Sequence, residues 1–226
     1  MYMADVKVIE LNKSVYADNN SEADSLRQEL KSKGTFLLNL MSSPGSGKTT
    51  TLINTINRIK NQVKIAVMEA DVESDVDAIK IKEKTGVQSI QIHTDGLCHV
   101  NAGMMKDSLK HMDLEDVDLC ILENIGNLVC PAEFDTGASK NIMLLSVPEG
   151  DDKPLKYPLM FSIVDLVIIN KIDVMPVFDF DMDRFTKNVR ELNPNANIIA
   201  ISAKTGEGVQ QFADWLLTEI RGWKNL

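Results

Sequence analysis

Seven short apolar runs punctuate the chain: FLLNLM at 36–41, KIAVME at 64–69, QSIQIH at 88–93, DLCILE at 118–123, NIMLLSV at 141–147, DLVIIN at 165–170 and NIIAIS at 197–202. Each has the length and bounds of a buried strand. Several are apolar almost throughout instead of alternating, as a strand covered by helices on both faces must be, so the sheet is expected to be mostly parallel. Helical spacing fills the intervals. Leu52, Ile56 and Ile59, with Ile53 beside them, form one stripe after Lys48, and Ala23, Leu26 and Leu30 form another that Gly34 can stop. Ala102, Met105, Leu109 and Met112 predict a helix that starts near Cys98 and His99, and Val209, Phe212, Leu216 and Ile220 predict a terminal one. The fold class that follows is α/β, a doubly wound sheet of about seven strands with helices on both faces.

With 226 residues, and no repeat or Ser/Gly linker to divide them, one generous domain over 21–226 is expected, preceded by a loosely attached arm over 1–20. The formal charge of −9 disfavours nucleic acid and an anionic membrane face as partners. No apolar run approaches the roughly 20 residues that cross a bilayer, and the N-terminus lacks a signal pattern, so a cytoplasmic location is expected. Three cysteines, an odd number, argue for reduced thiols and against a disulfide framework.

After the first run comes Ser42-Ser43-Pro44-Gly45-Ser46-Gly47-Lys48-Thr49, a phosphate loop of the form G-x-x-x-x-G-K-[ST] in which Ser42 replaces the first Gly. Gly45, Ser46 and Gly47 let successive N–H groups face a β-phosphate at the start of a helix. Lys48 would bridge the β- and γ-phosphates, Thr49 would give its hydroxyl to Mg²⁺, and Thr50 continues the cradle. A ligand-free Gly-rich turn is the plain alternative, but it has no need of an adjacent Lys-Thr pair in that register.

The sixth run ends in Asn170-Lys171-Ile172-Asp173 and the seventh in Ser202-Ala203-Lys204, which resemble the guanine-reading loops of GTPases. The Asp173 carboxylate can accept from guanine N1–H and its exocyclic amine together, whereas adenine offers no such pair. A site built on buried hydrogen bonds can reject the analogue lacking them by roughly 10⁴ to 10⁵. Lys171 would lie along the base and Asn170 would tie this loop to the phosphate loop. Acids near the metal ion are sought at strand ends. They are Asp71, after the second run, and Glu123, which opens Glu123-Asn124-Ile125-Gly126-Asn127. The latter has the spacing of D-x-x-G with Glu for Asp, and the Gly126 N–H would sense the γ-phosphate. The alternative is that both acids are helix caps or solvated turn residues. No water-orienting Gln stands out, so hydrolysis is expected to be slow.

Cys98 and His99 are adjacent, and Cys130 follows the proposed switch in Leu128-Val129-Cys130-Pro131. Such donors suit Zn²⁺ or Ni²⁺ better than Mg²⁺, and three of them leave one tetrahedral position open. Spacing alone leaves equally open that these cysteines are small hydrophobes, as Cys120 inside its strand is expected to be. His93 and His111 are read as structural or solvated.

From about residue 36 onward the chain resembles the HypB family of [NiFe]-hydrogenase nickel-insertion GTPases, dimerising P-loop GTPases related to the urease accessory GTPase. The carriers are MSSPGSGKTT, GLCHVNA, ENIGNLVCPAEFD, SVPEGDDKPLKYP, LVIINKID and ISAKTGEG. The resemblance implies GTP- and Mg²⁺-dependent delivery of Ni²⁺ to a hydrogenase large-subunit precursor. It also implies a HypA-type accessory partner and a homodimer favoured by GTP. It assigns Ni²⁺ or Zn²⁺ to Cys98, His99 and Cys130 near the dimer interface. The N-terminus departs from members that carry a cysteine-rich motif or a His-rich tract, and His93 and Asp95 stand where Asn and Gly are expected. Rival readings are a urease or cobalamin-enzyme accessory GTPase, an ATP-dependent P-loop kinase or ligase, and a binding module with a purely structural nucleotide site.

Overall fold

A computed structural model describes residues 11–71 and 74–225. All seven expected strands are present: β1 (Phe36–Ser42), β2 (Ile65–Asp71), β3 (Gln88–His93), β4 (Leu119–Gly126), β5 (Lys140–Ser146), β6 (Leu166–Asn170) and β7 (Asn197–Ala200). They form one sheet in the order β3-β2-β4-β1-β5-β6-β7, and every neighbouring pair is parallel. The central strand β1 is buried at every position, so its FLLNLMS run has no polar face to show.

Nine helices are described: α1 (Leu11–Lys33), α2 (Lys48–Ile59), α3 (Val76–Thr85), α4 (Ala102–Leu109), α5 (Cys130–Glu133), α6 (Lys153–Lys156), α7 (Pro158–Ile163), α8 (Met182–Leu192) and α9 (Val209–Asn225). One sheet face packs Leu38, Leu40, Ile121 and Ile168 against Leu52 and Ile56 of α2, Ile81 of α3, and Phe212 and Leu216 of α9. The other packs Leu37, Met68 and Leu122 against α1 and α4, and Met143 and Val167 against Phe161 of α7 and Phe185 of α8. At about 1.5–3 kcal/mol for each fully buried large aliphatic side chain, this two-sided burial is what commits the chain to the doubly wound arrangement.

Two expectations need adjustment, and a third holds. The helix near Cys98 and His99 starts later, at Ala102 behind an Asn101 cap, and ends at Leu109, so Met112 reaches the same core from the following turn. Gly34 does stop α1, with φ +70 and its N–H on the Lys31 carbonyl. At the other end, α1 runs unbroken through residue 20, and Asn19 is buried. No backbone break therefore marks the expected arm boundary, and residues 1–10 lie outside the described region. Among the described residues no helix is long and apolar enough to cross a membrane.

One irregularity positions the site. Along β1 and β4, Leu40 pairs with Glu123 but Ser42 pairs with Gly126, so β4 carries an extra residue at its exit. A chain of side-chain amides, two of them buried, holds this bulge. Asn124 Nδ2 donates to Asn39 Oδ1 at 3.0 Å, Asn39 Nδ2 donates to Asn141 Oδ1 at 2.9 Å, and the Ile125 N–H donates to Asn124 Oδ1 at 2.9 Å.

Candidate functional site

The carboxyl ends of the strands, where parallel α/β sheets bind ligands, surround a cavity of about 450 Å³. Gly45, Gly47, Lys48, Thr49 and Thr50 line one side, Glu69, Asp71, Asp77 and Lys80 another, and the Glu123–Gly126 exit of β4 a third. Gly45 and Gly47 have φ +74 and +102, left-handed values that turn the loop into α2. Ser42, in the place of the first Gly, has a definite task here: its buried hydroxyl accepts from Lys48 Nζ at 3.0 Å and from Ser46 Oγ at 2.8 Å. Gly126 comes so close that an added Cβ would meet Pro44 at 3.0 Å, so the β4 exit rests on the phosphate loop.

Opposite Lys48 the acids converge differently from the sequence expectation. Parallel register sets Glu69 directly across from Glu123. Asp77, in the first turn of α3, brings its carboxylate within 4.8 Å of both. Thr49 Oγ1 donates to Glu123 Oε1 at 3.1 Å. Glu69 and Glu123 each keep one buried oxygen, Oε2, without a hydrogen-bond partner. Burial and the neighbouring Glu123 push Glu69 up to about 11, and burial raises Glu123 as well. Asp71 lines the same cavity but accepts the Ser74 N–H at 2.9 Å. The orphaned pair of hard oxygen donors fits a divalent cation of the Mg²⁺ kind. Glu69, Asp77 and Lys80 were missed by sequence reading. Glu69 carried a faint signal, a charged residue two positions before Asp71 in an otherwise apolar strand.

The expected base-reading residues meet as a unit. Asn170 Nδ2 donates to the Ser46 carbonyl at 2.9 Å, while its Oδ1 accepts from the Ala203 N–H at 2.9 Å. One buried amide therefore joins the phosphate loop to the Ser202-Ala203 loop. Lys171, at a left-handed φ of +62, donates from Nζ to the Gly45 carbonyl at 2.7 Å. Strained non-glycine backbone of this kind concentrates at ligand clamps. Asp173 Oδ1 accepts from Ser202 Oγ at 2.7 Å.

The two cysteines also meet. Cys98 and Cys130 are free thiols with their sulfurs 2.6 Å apart, Cys98 in the loop before α4 and Cys130 at the start of α5, 32 residues apart in sequence. His99 Nδ1 lies 3.9 Å from the Cys98 sulfur, but its ring is stacked on Phe134, with centroids 3.8 Å apart and planes 7° apart. Among the described residues, Glu69, Asp77 and Glu123 alone offer three acidic, Cys or His donor atoms mutually within 4.8 Å, so Cys98, His99 and Cys130 adjoin without forming a closed shell. The shared S–H bond raises Cys98 above the ordinary thiol value, and burial lowers His99, favouring its neutral form. Asn127, between β4 and α5, links the two segments: its Oδ1 accepts the Val129 N–H at 2.8 Å and the Cys130 N–H at 3.3 Å, and its Nδ2 reaches the Cys98 carbonyl at 3.5 Å. Cys120 is fully buried in the core, its thiol pushed up to about 12 by burial, which removes it from any metal chemistry. His93 and His111 are exposed.

A seven-stranded parallel sheet with a phosphate loop after its central strand, tied through Asn170 to the loops that leave β6 and β7, defines a P-loop nucleotide-binding protein. Residues 36–200 match the family model described as CobW/HypB/UreG, nucleotide-binding domain. The hydrogenase maturation factor HypB of Escherichia coli K12 is 42% identical over 217 residues, 96% of this chain and 74% of that protein. The hydrogenase/urease maturation factor HypB of Helicobacter pylori 26695 is 41% identical over 221 residues, 96% of this chain and 89% of that one. A crystal structure of HypB from Helicobacter pylori in complex with nickel superposes with a TM-score of 0.84 at 42% identity, covering 91% of this chain and 96% of that one. The chain belongs to the HypB family of hydrogenase maturation factors.

Proposed function

We propose that this chain hydrolyses GTP and uses the state of the nucleotide to hold or surrender nickel during maturation of [NiFe]-hydrogenase. The observation that carries the reading is Asn127. This residue closes the segment that leaves Glu123 and rests at Gly126 on the phosphate loop, and it hydrogen-bonds to both thiol-bearing residues. A change in that segment on loss of the γ-phosphate must displace one thiol relative to the other.

In this reading Gly45, Ser46, Gly47, Lys48, Thr49 and Thr50 hold the phosphates, and Gly126 senses the last of them. Asn170, Lys171 and Asp173 hold guanine together with Ser202 and Ala203, and the acceptor pair on Asp173 gives GTP precedence over ATP. Thr49 and Glu123, with Glu69 and Asp77 beside them and Asp71 at the cavity edge, would hold Mg²⁺. When bound, Mg²⁺ neutralises phosphate charge. Cys98 and Cys130 take the cargo ion, Ni²⁺ or Zn²⁺, and His99 joins by turning off Phe134. The position left open suits a second copy of the chain, an accessory protein of the HypA type, or the hydrogenase large-subunit precursor that receives the ion. Reduced thiols suit a cytoplasmic setting. The nickel complex of the Helicobacter pylori protein supports nickel as the cargo.

Three measurements test this. GTP should outcompete ATP by at least on the order of 10³, and Asp173→Ala should erase most of that preference; equal competition by ATP would return the chain to the kinase or ligase reading. Nickel should bind the wild type and be lost in Cys130→Ala, with affinities that differ between GDP and a GTP analogue. Turnover absent in the wild type under every metal condition, or surviving Lys48→Ala, would remove the GTPase claim.

A further inference from the structure

The thiol loops are held from a second side, by a helix that lies outside the matched stretch 36–200. Asn19 of α1 is buried, and its amide is used at both ends: Nδ2 donates to the Asp135 carbonyl at 3.0 Å, and Oδ1 accepts the Ala102 N–H at 3.0 Å. Ala102 lies three residues past His99 and Asp135 five past Cys130, so one side chain pins together the two segments that carry the thiols. One turn earlier on the same face, Tyr16 donates to Glu133 Oε2 at 3.3 Å, and its ring lies 5.2 Å from that of Phe134. Phe134 is the ring on which the His99 imidazole is stacked. Further along α1, Arg27 grips both carboxylate oxygens of Asp135 at 2.7 and 2.8 Å, which fixes the far end of the same segment.

We infer that Asn19 and Tyr16 of α1 are positioning residues of the Cys98–His99–Cys130 site, Asn19 setting the separation of the thiols and Tyr16 setting the imidazole through Phe134. The inference rests on the proposed cargo site. It does not follow from packing alone. A helix that merely covered the sheet would need apolar contacts such as those of Leu26 and Leu30. It would not need a buried amide spending its donor and acceptor on two different loops. The amide is also held at both ends, so sliding the helix along its axis would break one or both of these bonds. Outer residues that orient metal ligands typically change affinity by about 10- to 100-fold when removed.

The test is a Ni²⁺ titration of the full chain against a competing chromophoric chelator, read together with the Ni–thiolate charge-transfer absorption. Asn19→Ala should weaken Ni²⁺ by about tenfold or more and alter that band. Tyr16→Ala should do the same, and Tyr16→Phe, which keeps the ring against Phe134, should recover most of the loss. Asn19→Asp keeps the acceptor for Ala102 and loses the donor to Asp135. It should fall between wild type and Asn19→Ala, and it replaces the alanine variant if that one fails to fold. GDP affinity without nickel should not move, which separates positioning from general damage. A metal-free readout accompanies these: phenylarsine oxide, which bridges two neighbouring thiols, should cross-link Cys98 and Cys130 more slowly in Asn19→Ala. Wild-type nickel affinity, absorption and arsenical bridging in the Asn19 and Tyr16 variants, with Cys130→Ala abolishing binding, would overturn the inference and leave the cargo site standing. Nickel binding that survives Cys130→Ala would overturn both.

Discussion

Glu69 and Glu123 face each other across β2 and β4, each with an oxygen that no protein group satisfies. Burial of the two adjacent carboxylates outweighs the attraction of the nearby Lys48 ammonium, so in the free protein the pair keeps a proton. The sign of the pH dependence follows. Glu69 is raised from 4.5 to about 11, so between those values the folded chain holds a proton that the unfolded chain has released. The slope of unfolding free energy with pH is proportional to bound protons in the unfolded minus the folded state, and it is therefore negative. Without nucleotide or divalent cation, stability should fall as pH rises from about 5 to 9, and Glu69→Gln should flatten that fall and be the more stable protein at pH 8. Urea denaturation across this range decides it, and parallel pH profiles for the two proteins would show that the carboxyl pair does not carry the dependence. Added Mg²⁺ should narrow the gap between them by taking the proton's place on the wild-type pair.

The phosphate loop and the loops that leave β6 and β7 are one mechanical unit because Asn170 reaches into the Gly47 turn. Gly47 has φ +102, and an added Cβ would run into Asn170 Nδ2. Gly47→Ala should cost about 1–3 kcal/mol in stability through the disallowed backbone. It should also weaken nucleotide by at least tenfold through loss of the Asn170 bridge; an alanine variant with wild-type urea midpoint and GDP affinity would disprove the coupling. Much of this was legible beforehand, since all seven strands announce themselves as apolar runs and the phosphate and base loops have fixed spacings at strand exits. What stayed hidden lies in register and in polar helices. The convergence of Glu69 with Glu123 depends on how β2 aligns with β4, which no local pattern states. Asp77 sits on α3, whose buried side is only Ala78, Ile81 and Thr85, and α8 buries only Phe185 and Val189, too few apolar positions to stand out. Asp71, expected from its strand-end position, does line the same cavity, and its carboxylate also accepts the Ser74 N–H. The pairing of the thiols came from family resemblance more than from spacing, and the Phe134 stack on His99 left no trace in the sequence.

At the scale of the molecule the question is whether nucleotide and metal communicate. Two copies of a chain with charge −9 repel, so association of this protein needs something to offset that repulsion, and a shared cation or the closed GTP state can do so. Within one copy, the route runs from the phosphate loop through the Pro44–Gly126 contact to Asn127, and from Asn127 to both thiols. If GTP analogue changes nickel affinity by some factor relative to nucleotide-free protein, nickel must change GTP-analogue affinity by the same factor. Coupling of this kind commonly amounts to roughly 5- to 150-fold, well within the reach of titration. Asn127→Asp isolates the link: the carboxylate still accepts the Val129 and Cys130 N–H groups, so the start of α5 keeps that acceptor, but the donor to the Cys98 carbonyl is gone. The expected result is near-wild-type affinity for each ligand alone, with the mutual factor falling toward one. Calorimetric titration of each ligand in the presence and absence of the other measures both sides of the equality in wild type and variant. A coupling factor undiminished in Asn127→Asp would place the connection elsewhere, and unequal factors in the wild type would mean that a third equilibrium, dimerisation foremost, carries part of the energy.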